Sequence, residues 1–301
     1  MVEGAAAVLL WPNWMGALAW RQSLSPQPWS GLLMSESAGG SSEIDTSFWT
    51  SLQYRILKRI SPGEPTHMSG SAYANTSKLR MLLGEDLFER ITDKRVIDFG
   101  CGNGTEAVEM ASVARSVYGL DIVEEALNTA RQRAEAAGVA DRCTFGTSPP
   151  NEEIDAIISL DSFEHFGNPG HILATMYELL RPGGQVLISF GPPWYHPLGG
   201  HLFSVFPWAH LIFTESALIR WRSDFKTDGA RKFSEVAGGL NQMSIGRFEK
   251  LVGKTKFNIV TLEVVPIRKL KPVANSLTRE FTTALVRCVL GRPSDSSHHS
   301  I

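Results

Sequence analysis

Nine consecutive residues, Val96-Ile97-Asp98-Phe99-Gly100-Cys101-Gly102-Asn103-Gly104, join a short apolar run to three glycines at alternate positions. Val96, Ile97 and Phe99 predict a strand buried on both faces, and residues 106–111 predict a helix. Strand, glycine turn and helix together present bare backbone N–H groups at the carboxyl edge of an open parallel sheet. Glycine suits such a turn because a Cβ blocks close approach and because some positions need positive φ. By itself the motif also fits a plain tight turn.

A second apolar run, Ser116-Val117-Tyr118-Gly119-Leu120-Asp121, ends on a carboxylate 17 positions after Gly104. A carboxylate about 20 residues beyond a glycine turn can accept hydrogen bonds from the two ribose hydroxyls of a nucleoside. Dinucleotide sites read G-x-G-x-x-G with a pyrophosphate over the helix N-terminus. Here the spacing is G-x-G-x-G, and Asp98 stands beside the turn. An acid there repels a pyrophosphate and suits a cationic ligand, which argues against a nicotinamide oxidoreductase.

Two later segments, Leu160-Asp161-Ser162-Phe163-Glu164-His165 and Leu180-Arg181-Pro182-Gly183-Gly184, complete a series of four. In this order the four motifs resemble those of the class I S-adenosylmethionine-dependent methyltransferases, of the type that includes ubiquinone-biosynthesis O-methyltransferases. The resemblance is close over residues 85–190 and looser over the rest of the C-terminal half. It implies an α/β, Rossmann-like, seven-stranded, mostly parallel sheet with helices on both faces and an antiparallel C-terminal hairpin. It also implies S-adenosyl-L-methionine as cofactor. Gly100, Gly102 and Gly104 would form the cofactor turn, Asp98 would face the amino-acid part and Asp121 the ribose, with Ile122, Ser148 and Asp161 as further contacts. The chain departs from the family after its third strand, where an acidic residue commonly holds the adenine amino group. Gly146-Thr147-Ser148-Pro149-Pro150 stands there, so Thr147 or Ser148 would supply a neutral and poorer acceptor.

Composition bounds the partners. With 29 Lys+Arg against 31 Asp+Glu, the formal net charge of -2 gives no electrostatic case for nucleic acid. Cys101, Cys143 and Cys288 are odd in number and set in apolar runs, so they read as free buried thiols in a reducing, cytoplasmic compartment. Cys101 is expected to be a filler of the turn rather than a catalyst.

Six regions are expected. Residues 1–44 are an extension or linker, apolar and Trp-rich at first. Pro12 and Asn13 interrupt it and no basic residue precedes it, so neither a spanning helix nor a signal peptide fits. Either a disordered extension or a misassigned upstream start, with Met34 opening the ordinary N-terminus, accounts for residues 1–33. Residues 45–92 form N-terminal helices that cover the cofactor or pack on the sheet. One has Phe48, Leu52, Ile56 and Ile60 on its packing face, Asp45 as N-cap and a stop at residues 62–65; the next spans residues 77–89. Residues 93–190 are the binding core, 191–243 an aromatic-rich insertion, 244–292 a late helix and two antiparallel strands, and 293–301 a tail.

Asp161, Glu164 and His165 follow the fourth strand, at the edge where reacting groups sit. His165 can serve as general base, oriented by a neighbouring carboxylate, or can be a structural turn residue. His201 and His196 are the other candidate bases, and Glu164 the candidate carboxylate partner. Glu164 and His165 alone are too few to define a metal site, so no metal is expected. The insertion carries Trp194, Tyr195, Phe203, Phe206, Trp208, Phe213 and Trp221, which can wall an apolar ligand or form a cap with its own core. The expected activity is methyl transfer to a hydroxyl oxygen of a small, partly apolar acceptor, aromatic or lipid-linked. A non-catalytic S-adenosylmethionine-binding or scaffold protein of the same fold stays open beside it. Membrane association, through the apolar extension or an aromatic surface, is possible but not expected, since no basic amphipathic helix stands out in the sequence.

Overall fold

The carboxyl ends of three parallel strands meet at one edge of a sheet, and the burial pattern explains why. A computed structural model describes residues 47–62, 77–204, 206–236 and 239–294. Strands β1 (Arg95–Phe99), β2 (Ser116–Leu120), β3 (Cys143–Gly146), β4 (Ile154–Leu160) and β5 (Leu180–Phe190) are parallel. Strands β6 (Asn258–Pro266) and β7 (Thr283–Gly291) are antiparallel to each other, and β7 is antiparallel to β5. The order β3-β2-β1-β4-β5-β7-β6 is the expected Rossmann-like sheet with its C-terminal hairpin. It reverses between β1 and β4, the place where open α/β sheets bind ligands.

Alternation along β1 distributes its residues between two cores. Ile97 and Phe99 pack with Ile172 and Met176 of α6 (Pro169–Leu179) and Phe248 of α9 (Ile245–Val252). Val96 faces the other way, onto Leu79 and Leu82 of α2 (Lys78–Leu83), Leu87 of α3 (Leu87–Ile91) and Met110 of α4 (Thr105–Met110). Asp98 shares that second face, so a carboxylate lies under α2. The helix α5 (Glu124–Ala136) is followed by Gly138 at a φ of +68°, the left-handed position that commonly closes a helix.

A third core belongs to the insertion. Phe203, Trp221 of α8 (Glu215–Arg222) and Phe233 pack with Leu57 of α1 (Phe48–Ile60). The Trp221 indole N–H donates to the Ser61 carbonyl at 2.9 Å, tying the end of α1 to the cap. The expected N-terminal layer is thus divided: α1 joins the cap, while α2 and α3 pack on the sheet.

Several local expectations are corrected. Ser47 caps α1, accepting from the Thr50 N–H, while Asp45, residues 1–46, the stop at 63–65 and the tail from 295 lie outside the described residues. The face of α1 that buries is Thr50 and Leu57; Phe48, Leu52, Ile56 and Ile60 point outward. Two helical stripes compete on α1, and the cap selects the one whose polar members bond across to it. The single helix expected over residues 77–89 is broken at Gly84, whose φ of +98° closes α2. Strand β5 takes in the glycines of the Leu180–Gly184 segment, where the Gly183 N–H donates to the Arg292 carbonyl and the Arg292 N–H to that of Gly184.

Trp221 is fully buried at the centre of the cap core. Trp221→Ala is expected to cost about 3–5 kcal/mol, read as a lowered midpoint in urea denaturation. A change below about 1 kcal/mol would contradict the assignment of this residue as the cap's anchor.

Candidate functional site

The glycine turn is built as the strand-turn-helix pattern requires. Gly100, Gly102 and Gly104 have φ of +87°, +50° and +72°. A Cβ on Gly104 would stand 2.6 Å from the Ala130 Cβ, and one on Gly100 would stand 3.0 Å from the Ser162 hydroxyl. Asp121, buried at the end of β2, fastens the turn: its carboxylate accepts from the Gly102 N–H at 2.9 Å and the Val123 N–H at 3.0 Å. Each oxygen keeps a lone pair for a further donor. Ile122, next in the chain, is half-buried against the core.

Two further buried acids, Asp98 and Asp161, stand at this edge. Asp98 is 3 % exposed, and its Oδ2 has no hydrogen-bond partner among the described residues. Asp161, at a φ of +46° just past β4, lies 3.3 Å from the Lys78 ammonium. Burial opposes the charge on Lys78, but Asp161, Glu106 and Asp98 outweigh it and hold the ammonium above the usual lysine range. Burial lifts Asp98 well above the usual carboxylate range, with Glu106 adding to the shift and Lys78 opposing it. Among the described residues, the Lys78 ammonium pairs with Asp161 and leaves the Asp98 Oδ2 without a hydrogen-bond partner. Sequence reasoning missed Lys78, which stands alone in a polar stretch; Ser77, the N-cap of α2, was the one available sign of a helix start there.

Beyond Asp161 a turn of 3-10 helix, Phe163–His165, carries the other candidates. Glu164 is 3 % exposed; one oxygen accepts from the Gly191 N–H at 3.3 Å and Oε2 has no partner among the described residues. Burial, then repulsion from Asp161, raises its carboxyl to about 8. Glu164 is therefore mostly protonated near neutral pH, and the partner that orients His165 is not this carboxylate. The Gly239 carbonyl does so, accepting from Nδ1 at 2.7 Å. That bond places the proton on Nδ1 and leaves Nε2 with its lone pair. Burial also keeps the ring neutral by lowering its pKa. Asn241 clamps the same turn, donating to the Phe163 and Phe166 carbonyls. Gly239 and Asn241 carry no motif and were not legible beforehand.

The cap contributes His201, at a φ of +52°, whose ring lies 5.4 Å from that of His165. Ligating atoms of Glu164, His165 and His201 lie within 4.8 Å of one another. One carboxyl and two imidazoles form a donor set that can hold a divalent cation, which the sequence did not lead one to expect. His196 accepts from the Leu198 N–H through Nδ1, and His210 bonds the Trp194 carbonyl, so both brace the cap. Ser148 is exposed; the phenol of Tyr118 donates to its carbonyl at 2.7 Å and steadies the turn after β3. Of the insertion's aromatics, Phe203 and Trp221 fill the cap core, while Tyr195 and Phe206 stay exposed. All three cysteines are free and buried, and burial pushes the Cys101 thiol far up, away from reactivity.

Residues 72–262 match a family model described as a methyltransferase domain. The chain belongs to that family, with the class I S-adenosylmethionine-dependent methyltransferase fold. Among similar proteins, the ubiquinone biosynthesis O-methyltransferase of Shewanella halifaxensis is 29% identical over 120 residues, covering 38% of this chain and 51% of its own. The protein of the same description from Pseudomonas aeruginosa is 28% identical over 195 residues, covering 62% and 75%. The 27-O-demethylrifamycin SV methyltransferase of Amycolatopsis mediterranei is 30% identical over 123 residues, covering 35% and 45%. The chain spans about half the length of most of the curated relatives it matches.

A raised carboxyl opposes folding as pH climbs. Below the unfolded value near 4.5 Glu164 is protonated in both states; between there and about 8 only the folded state keeps the proton. The metal-free Glu164→Gln variant should therefore gain stability relative to wild type as pH rises from 5 to 8, by at most about 1.4 kcal/mol per unit. Urea midpoints at several pH values check this; a difference independent of pH would contradict it.

Proposed function

We propose that this chain transfers a methyl group from S-adenosylmethionine to a hydroxyl oxygen of a small, partly apolar molecule. The observation that carries the reading is the shared edge: an acidic cleft beside the glycine turn, and beyond β4 a neutral histidine with a defined tautomer. The relatives' descriptions, an O-methyltransferase of ubiquinone biosynthesis and a 27-O-demethylrifamycin SV methyltransferase, support oxygen as the methylated atom and a small acceptor.

When bound, S-adenosylmethionine supplies an electrophilic methyl on a positively charged sulfur. The backbone of Gly100, Gly102 and Gly104 would hold it, in a turn whose positive φ angles and close packing against Ala130 and Ser162 leave no room for a Cβ at Gly104 or Gly100. Asp98, through its unpartnered Oδ2, and Asp161 would face its positive groups. Asp121 would accept from the ribose with its remaining lone pairs, and Ile122 and Ser148 would border the adenine. His165 Nε2 would take the acceptor's hydroxyl proton, while the Gly239 carbonyl steadies the imidazolium through Nδ1–H. His201, carried by the cap, would close the site and limit water. Holding methyl and acceptor in attack geometry can lower the barrier by up to about 7–11 kcal/mol, and a positioned base adds about 10²–10⁴-fold.

Two substitutions separate binding from chemistry. Asp121→Ala should weaken S-adenosylmethionine binding by about 1.5–3 kcal/mol, the worth of hydrogen bonds to a charged group. Unchanged affinity in calorimetry removes the ribose assignment. His165→Ala should lower kcat about 10²–10⁴-fold on a phenolic or alcoholic acceptor while leaving cofactor affinity within a few-fold. Transfer of radiolabelled methyl to a panel of hydroxylated apolar acceptors measures it; a kcat equal to wild type would rule His165 out as base.

A further inference from the structure

Helix α1 presents an outward face that the proposed chemistry leaves unused. Phe48 and Trp49 are 75% and 67% exposed, and Leu52, Ile56 and Ile60 are exposed beside them. At 3.6 residues per turn these five side chains fill an arc of about 120°; Arg59 falls within that arc, and Arg55 and then Lys58 lie beyond its Phe48 edge. No acidic residue lies within the helix. The stripe cannot turn inward. On the inner side Leu57 and Thr50 are buried, Tyr54 donates to Asp224, Gln53 accepts from the Thr214 N–H, and Ser51 accepts from Arg220. Gln53 also brings the chain after α7 (Ala209–Ile212) alongside, and Leu211 and Ile212 there are exposed as well.

We propose that α1, with the end of α7, is a docking surface for the anionic face of a lipid bilayer. Large apolar side chains including a tryptophan, bordered by arginines, are what an interfacial helix offers to headgroups and upper acyl chains. The charge selects the occupant. Lys58 is paired with Asp224, but Arg55 and Arg59 are exposed, and the helix is basic in a chain whose net charge is -2. A second copy laid face to face would set arginines against arginines, whereas anionic lipid supplies the opposite charge at high density. No helix among the described residues is long and apolar enough to cross a membrane, so the contact lies on the surface. Because α1 braces the cap that carries His201, docking would hold the cap close to lipid. That last consequence, delivery of an apolar acceptor, rests on the function proposed above; the binding itself does not.

The full chain should float with vesicles of phosphatidylcholine mixed with phosphatidylglycerol, and far less with phosphatidylcholine alone. Arg55→Gln with Arg59→Gln should weaken binding by about tenfold or more and flatten its salt dependence. Phe48→Ser with Trp49→Ser should weaken it comparably, and neither pair should lower the melting temperature, since all four side chains are exposed. Wild type that stays out of the mixed vesicles overturns the proposal, as does binding that survives both pairs. A melting temperature lowered by Phe48→Ser with Trp49→Ser would assign the stripe to another part of the chain, and a dimer dissolved by them would assign it to a second copy. Either result overturns the lipid assignment. Methyl transfer is not read in this experiment, so its failure leaves the enzymatic reading intact.

Discussion

The Lys78 ammonium, 3.3 Å from Asp161 and near Asp98 and Glu106, is the interaction around which the acidic edge is organised. Asp98 is there because alternation along β1 turns it toward the helix layer, and Asp161 because β4 ends beside it. Buried carboxylates of this kind are costly unless paired, and α2 brings the Lys78 ammonium to Asp161. Burial lifts the Asp98 and Glu164 carboxyls above the usual carboxylate range. A ligand that brings positive charge would favour their charged forms, whereas a pyrophosphate would oppose them.

Most of the sheet was legible because its strands are buried on both faces and therefore read as uninterrupted apolar runs. The glycine turn, Asp121 and the residues after β4 were legible because close approach and turn geometry restrict which residues fit. Lys78, Gly239 and Asn241 were not. Each acts through a contact made across the fold, and no local pattern announces such a contact. The same limit explains α1. Its sequence carries two stripes of helical spacing, and only the bonds of Gln53, Ser51 and Tyr54 to the cap decide which one is buried.

At His165 the sequence and the structure offer different partners for the ring. Adjacency to Glu164 suggested a carboxylate partner, yet the burial that encloses both raises Glu164 to about 8 and removes its charge. A backbone carbonyl from residue 239, on the chain leaving the cap, sets the tautomer instead. The cap is thus more than a cover: it packs around its own core, returns through Gly239 and Asn241 to fix the turn Phe163–His165, and sets His201 beside His165. Of the two roles open to the insertion's aromatics, Phe203, Trp221, Trp194 and Phe213 take the one in the cap core.

The acidic edge and glycine turn should bind a cationic nucleoside cofactor and refuse a dinucleotide. Calorimetric titration of the full chain with S-adenosylmethionine, S-adenosylhomocysteine and NAD measures this. Binding of both sulfur compounds and none of NAD is expected; binding of NAD, or of neither sulfur compound, would rule this assignment out.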